Sequence, residues 1–201
     1  MTTHTLTAEP DLAGLGTFFR PRDIERLGLS FAELQRLVAA GRVERVARGL
    51  YRQAGAEPDP FETMAMVSAA VEGSIVCLLS ALALHGIGTQ APHEVWIAID
   101  RKARKPARLP ARVRIVRFSG PMLTYGVETR TILGVAVRVT SPARTVVDCF
   151  RYRNKLGLDV AWEALRDAVR SRRATVSEIV RAAEVCHART VLKPYLEVLS
   201  L

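Results

Sequence analysis

Cysteine is scarce in this chain of 201 residues, and its three copies, Cys77, Cys149 and Cys186, stand far apart with no C-x-x-C pair. That scarcity excludes a disulfide framework and a zinc knuckle, and it fits a reducing cytoplasm, where we expect the protein to reside. Long apolar runs are also missing. The most apolar stretch, Met64 to Leu84, carries Glu72 and Gly73 at its centre, so it reads as two buried helical segments and not as a membrane span. The start, MTTHTLTAEPDLAG, has no basic segment followed by an apolar one, and a secretory signal is not expected. Neither an internal repeat nor a low-complexity tract is present.

Catalytic constellations are lacking as well. A metal-dependent nuclease wants clustered acids and a lysine, but the strand-rich region offers only Glu94, Asp100 and Glu128, with no E-x-K. A nucleotidyltransferase wants paired carboxylates after a Gly-Ser pair. Here Gly73 and Ser74 are followed by a distant Asp100 and then by Arg101. Asp148, in an apolar helical stretch, reads as the ion-pair partner of a nearby arginine, and His85 reads as a structural histidine. Cys186 and His187 are adjacent, yet neighbouring helical side chains point apart. We expect no catalytic residue, no metal and no cofactor.

What the chain does have is positive charge. Its net charge is +9 and arginine far outnumbers lysine, which points to a polyanionic partner. Hydrophobic residues make up 49% and charged residues 24%, enough to bury a core and to fold. Two basic concentrations stand out. Arg20 to Arg52 holds eight arginines against Asp23, Glu25, Glu33 and Glu44, and Arg101 to Arg117 holds eight basic residues and no acid.

The first concentration sits on legible structure. In GLSFAELQRLVAAG, Ser30 is the N-cap and Glu33 completes an S-x-x-E capping box, in which each side chain satisfies a backbone N–H the helix leaves open. Leu29 and Leu34 form the matching staple, Leu34, Leu37 and Val38 form an apolar stripe, and Gly41 supplies the stop. Upstream, RPRDIERLG starts a helix near Pro21 and ends it near Gly28. Downstream, Val43 to Ala47 and Leu50 to Arg52 read as strands joined at Gly49. Two helices and a hairpin in that order are a winged helix-turn-helix.

A Pro-, Gly- and acid-rich stretch, AGAEPDPFE, marks a linker at residues 56–62. It divides residues 1–55 from a second domain, 63–201. There HEVWIAID, RVRIVRF, VETRTI and VAVRVT read as strands, the last two as a hairpin around Leu133 and Gly134. Helices follow: one capped by Ser141 with Pro142 in its first turn, one capped by Asp159, and one opened by a Thr175 and Glu178 capping box. The class is α+β, a small winged module plus a domain with a small mixed sheet flanked by helices.

The chemistry that fits the winged module is DNA binding. Gln35 pairs bidentately with adenine and Arg36 with guanine or phosphate, while Arg45, Arg48 and Arg52 suit phosphates or a narrow minor groove. Arg22 and Arg42 are further candidates, the former beside the neutralising Asp23. Winged helices also dock proteins, and that reading stays open. For Arg101, Lys102, Arg104, Lys105, Arg108, Arg112 and Arg114, a second phosphate-contacting surface and a solvated loop leading into a strand are equally compatible.

FRPRDIERLGLSFAELQRLVAAGRVERVARGLYR resembles the N-terminal winged helix of the AbiE-type (AbiEi) antitoxins of type IV, abortive-infection toxin-antitoxin systems. LLSALALHGIG, VRVTSPARTVVDCFRYRNKLGLDVAWEALRDAV and VLKPYLEVL resemble the C-terminal domain of the same family. The resemblance implies an antitoxin that binds inverted repeats in its own promoter, represses the operon, and counters a nucleotidyltransferase-like toxin encoded beside it. By the same resemblance Gln35, Arg36 and the wing arginines fall at DNA contacts, and the basic run of the second domain matches that domain's positive face. One departure is that the first helix expected of such a module is weakly signalled before Arg20. Two other outcomes stay open: a nuclease-like second domain, and a plain DNA-binding regulator.

Overall fold

The computed structural model describes Leu12 and residues 14 to 199. The chain opens with strand β1 (Phe18–Phe19), helix α1 (Pro21–Glu25), helix α2 (Phe31–Ala39) and a hairpin of β2 (Val43–Ala47) and β3 (Leu50–Gln53). No helix precedes β1 among the described residues, and most of the segment where one was sought lies outside them.

The capping box of α2 forms as its spacing predicts. Glu33 N–H donates to Ser30 Oγ at 3.3 Å and Ser30 N–H donates to Glu33 Oε2 at 2.7 Å. That second bond leads the causes that hold the Glu33 carboxyl below its ordinary range. Ser30→Ala should cost about 1 kcal/mol, read as a lower urea midpoint at unchanged slope. Gly28, Gly41 and Gly49 all have positive φ, so the turns fall at the glycines.

β3 lies between β1 and β2, all antiparallel, and this small sheet has two different faces. Adjacent strand residues point to opposite sides. Phe19 and Tyr51, ring centroids 6.0 Å apart, therefore join Ile24, Leu34, Leu37 and Val43 in the winged module's own core. Their neighbours Phe18 and Leu50 point the other way and join Met64, Val67 and Val137 of the second domain. The loop from Ala54 to Phe61 thus connects units that share a hydrophobic cluster.

Beyond it come α3 (Glu62–Ala70), β4 (Ile75–Val76), α4 (Leu78–His85), β5 (Val95–Asp100), β6 (Val113–Phe118), a single 3-10 turn (Gly120–Leu123), β7 (Val127–Ile132) and β8 (Val135–Thr140). The helices α5 (Pro142–Arg151), α6 (Arg153–Leu156), α7 (Leu158–Arg170), α8 (Val176–Val185) and α9 (Arg189–Leu199) complete the described chain. The five strands pair in the order β6-β5-β4-β8-β7, with β5 and β6 parallel, β4 and β8 parallel, and the other pairs antiparallel. Trp96 and Ala98 of β5 face α5, α7 and α8, whereas Val95, Ile97 and Ile99 face α3 and the winged module. The winged module is the outer layer over one face of a sheet whose other face is packed by helices.

Two sequence expectations need correction. The Met64 to Leu84 region contains a central strand, β4, between its two helices. It is only two residues long, too short to show an alternating pattern. The helix expected to start at Asp159 begins at Leu158, with Gly157 at the cap position and Asp159 in the first turn, where its carboxylate faces the positive end of the helix. No described helix is long and apolar enough to cross a membrane.

Candidate nucleic-acid interface

The helix α2 buries Leu34 and Leu37 and exposes Phe31, Ala32, Gln35, Arg36 and Ala39. Gln35 and Arg36 make no hydrogen bond or ion pair with other described side chains, so their polar groups are free to meet a ligand. Arg48 stands at the hairpin tip beside Gly49 and Arg45 lies on β2, both exposed and unpaired among the described residues. Because Arg45 pairs across the sheet with Tyr51, it points from the same side of the wing as the helices.

Arg52 is placed differently. It lies opposite Glu44 and Phe18, on the side facing the second domain. Its guanidinium is 3.8 Å from Glu44 and 3.1 Å from Glu62, the first residue of α3. Nε is buried and finds no aligned acceptor, so the contact with Glu62 is an ion pair with poor hydrogen-bond geometry. Arg52 therefore bridges the two units. Arg20 does the same, donating from Nη2 to the Ala69 carbonyl oxygen at 2.7 Å. Arg42 is half-buried at the base of the wing. Arg22 is exposed on α1, and its neighbour Arg26 pairs with Asp23 at 3.6 Å.

Sequence reasoning passed over Phe31. It opens α2 with 57% of its surface exposed, and Leu27, four residues earlier in the chain, is 40% exposed. The helical period puts Phe31 in line with Leu34 and Val38, three and seven residues on, so no sequence signal marked the ring as exposed. An exposed ring beside Gln35, one helical turn on, suits the 5-methyl group of thymine.

In the second basic concentration the basic residues divide into two groups. Arg114 donates to Glu94 at 2.8 Å and its guanidinium lies 5.2 Å from the Trp96 ring centroid. Arg117 donates to the carbonyls of Asp100 and Ala103 at 3.0 and 2.5 Å, tying down the loop that follows β5. Arg101, Lys102, Arg104, Lys105, Arg108 and Arg112 are exposed on that loop with no side-chain partner among the described residues. They stand at edge strand β6, across the sheet from the β7–β8 hairpin, where Leu133 accepts the Phe18 N–H at 3.0 Å.

The three acids weighed for nuclease chemistry do not converge. Glu94 is held by Arg114, and Asp100 accepts the Lys102 N–H at 2.7 Å. Glu128 is on β7, three strand positions from β5. Among the described residues no group of three His, Cys, Asp or Glu side chains is placed to hold a metal ion. Asp148 pairs instead with Arg144 inside the core, and His85 is buried against Thr140.

Residues 10–53 match a family model described as a transcriptional regulator, AbiEi antitoxin, and residues 74–195 match one described as the AbiEi antitoxin C-terminal domain. No curated protein matches the chain. The crystal structure of the RV2827C protein from Mycobacterium tuberculosis is similar with a TM-score of 0.56 at 13% identity, covering 87% of this chain and 72% of that one, which shows a shared fold.

Proposed function

This chain belongs to the AbiEi antitoxin family, and from that premise we propose that it represses its own operon by binding inverted repeats in the promoter and counters a nucleotidyltransferase-like toxin encoded beside it. The observation that carries the DNA-binding half is the set of free polar groups on the recognition helix and wing. Gln35 and Arg36 extend from α2, Arg45 and Arg48 from the hairpin, and none makes a side-chain hydrogen bond or close ion pair among the described residues, although the Arg36 charge acts on Glu33. In this reading α2 enters the major groove and the wing arginines contact phosphates on either side.

The test is a gel shift with the DNA upstream of the gene. Arg45→Ala with Arg48→Ala should weaken binding to all sequences alike and lower the salt slope by about one per arginine. Gln35→Ala should change the ranking among sequences, at about 1–3 kcal/mol for the base it reads. Phe31→Ala should remove any preference for thymine over uracil in the site. Binding indifferent to Gln35 and Phe31 would remove α2 as the reading helix.

Antitoxicity is tested by co-expression with the neighbouring gene product in a growth assay. The wing double variant should still rescue growth while derepressing the promoter, because its changes leave the second domain intact. A second reading, docking of a protein on the winged module, is favoured by the exposed Leu27 and Phe31; absence of any DNA shift at low salt would select it.

A further inference from the structure

A cleft of about 640 Å3 opens between β7, the first turn of α5 and the corner joining α7 to α8. Four arginines line it: Arg130, Arg172, Arg173 and Arg181. Two acids share the lining. Glu178 is engaged by the Thr175 N–H and hydroxyl at 2.8 and 2.9 Å, and Glu128 lies 3.8 Å from Arg130. The guanidinium groups of Arg172, Arg173 and Arg181 make no hydrogen bond or close ion pair among the described residues; at longer range the charge of Arg181 acts on Glu178 and that of Arg173 on Asp167 and His85.

The backbone that presents them is chosen against local preference. The end of α7 is a Schellman motif, with Arg173 N–H donating to Ala168 O at 2.9 Å and Arg172 N–H to Val169 O at 3.1 Å. The residue at its left-handed position is normally glycine, yet here it is Arg172 with φ +56. That backbone fixes the direction in which the Arg172 side chain leaves the corner between α7 and α8.

His85 supports the opposite wall. Its Nε2–H donates to the Thr140 carbonyl at 2.6 Å, so Nδ1 must accept the Arg130 Nη2–H at 3.1 Å and the ring is neutral. Burial first, and the charges of Arg130 and Arg173 after it, hold its pKa below the ordinary imidazole value against the Thr140 bond and Glu128. The ring thereby fixes Arg130 at the cleft mouth. The remaining wall is weakly polar, formed by Tyr125, Pro142 and Ala143.

We propose that this cleft binds a nucleoside di- or triphosphate, with Arg172, Arg173 and Arg181 on the phosphates and Tyr125 and Pro142 against the base. The volume is that of a small-ligand site, and the concave shape does not suit the convex backbone of a duplex. Guanidinium forks match phosphate oxygens in pairs, and several together match the clustered charge of a polyphosphate better than a row of singly charged diesters. The inference does not depend on the DNA-binding reading of the winged module.

The test is titration calorimetry on the full chain with ATP, GTP and inorganic triphosphate at low salt. Arg172→Gly combined with Arg181→Ala removes two guanidinium groups while relieving the strain at residue 172, so this variant should keep or raise the Tm. Its nucleotide affinity should fall about a hundredfold. Arg45→Ala with Arg48→Ala should leave nucleotide affinity unchanged. The proposal is overturned by no nucleotide binding to the full chain, by equal affinity in the cleft variant, or by loss in the wing variant alone. Inorganic triphosphate binding as tightly as ATP and GTP would also overturn it, because the base would then contribute nothing. So would a cleft variant that loses affinity for a short duplex and not for nucleotides.

Discussion

Arg144→Leu should destabilise the second domain by about 3–5 kcal/mol, the cost of leaving one member of a buried ion pair alone. Arg144 and Asp148 are one helical turn apart on α5, both with 0% of their side chains exposed and with Nε 2.9 Å from Oδ2. Arg144 also donates to the carbonyls of Tyr125 at 2.7 Å and Met122 at 3.2 Å, and its guanidinium lies 5.0 Å from the Phe118 ring centroid. Removing it orphans two carbonyls and a carboxylate at once. Converting both residues to leucine should recover the share of the loss due to the lone carboxylate, while the Tyr125 and Met122 carbonyls stay unpaired. Thermal unfolding of the two single variants and the double variant measures the coupling. A loss below about 1 kcal/mol for Arg144→Leu would mean that the pair is not held as described.

The same pair carries a pH signature. Burial pushes the Asp148 carboxyl up to about 6, with Arg144 pulling the other way, and Oδ1 has no hydrogen-bond partner. A carboxyl whose folded pKa lies above its unfolded value binds more protons in the native state. Its contribution to stability is therefore greatest in acid and declines as pH rises from about 4 to about 6, then stays level. Asp148→Asn should abolish that decline in urea midpoints measured across the range. His85, whose pKa is lowered, acts with the opposite sign, contributing stability above the ordinary imidazole value that is lost on acidification below it.

The second large effect is at the seam between the two units. Gly134 has φ +84, and a Cβ there would stand 3.0 Å from Gly16 Cα and 3.1 Å from the Phe18 carbonyl oxygen. Both obstacles are backbone, which has no rotamer to yield. Gly134→Val should therefore part the β7–β8 hairpin from β1 and expose Phe18 and Leu50, at a cost of about 3 kcal/mol or more, comparable with truncating a buried aromatic. Limited proteolysis would report it as faster cleavage between Ala54 and Phe61. Gly41→Ala is the control, since Gly41 has φ +70 but nothing near its Cβ; it should cost about 1–2 kcal/mol of backbone strain without loosening the seam. Equal proteolysis in the two variants would show that the winged module is not docked through this contact.

This seam changes what the winged module is. A tethered DNA-binding domain would turn freely, whereas Arg20 and Arg52 tie this one to α3 and Phe18 seats it in the second domain's cluster. A substitution in the second domain can therefore reach DNA binding through packing alone, and truncation at the loop would strip Phe18 and Leu50 from the cluster that holds Met64 and Val67.

Much of the architecture was legible in local signals. Ser30 with Glu33, Thr175 with Glu178, Ser141 with Pro142, and Leu133 with Gly134 each act within four residues, so the pattern of side chains and the backbone it produces lie side by side in the chain. The exposed face of α2 followed from its period, which placed Gln35 and Arg36 outward. Tertiary structure alone decided the rest. A strand of two residues, such as β1 or β4, has no period to read and exists because a neighbour completes its hydrogen bonds. Arg48 and Arg52 look alike in RVERVARGLYR, but strand alternation and the position of Glu62 turn Arg52 inward while Arg48 stays at the tip. The cleft joins residues from 85 to 182 that no spacing relates, because pairing and packing among strands and helices distant in sequence set which charges meet.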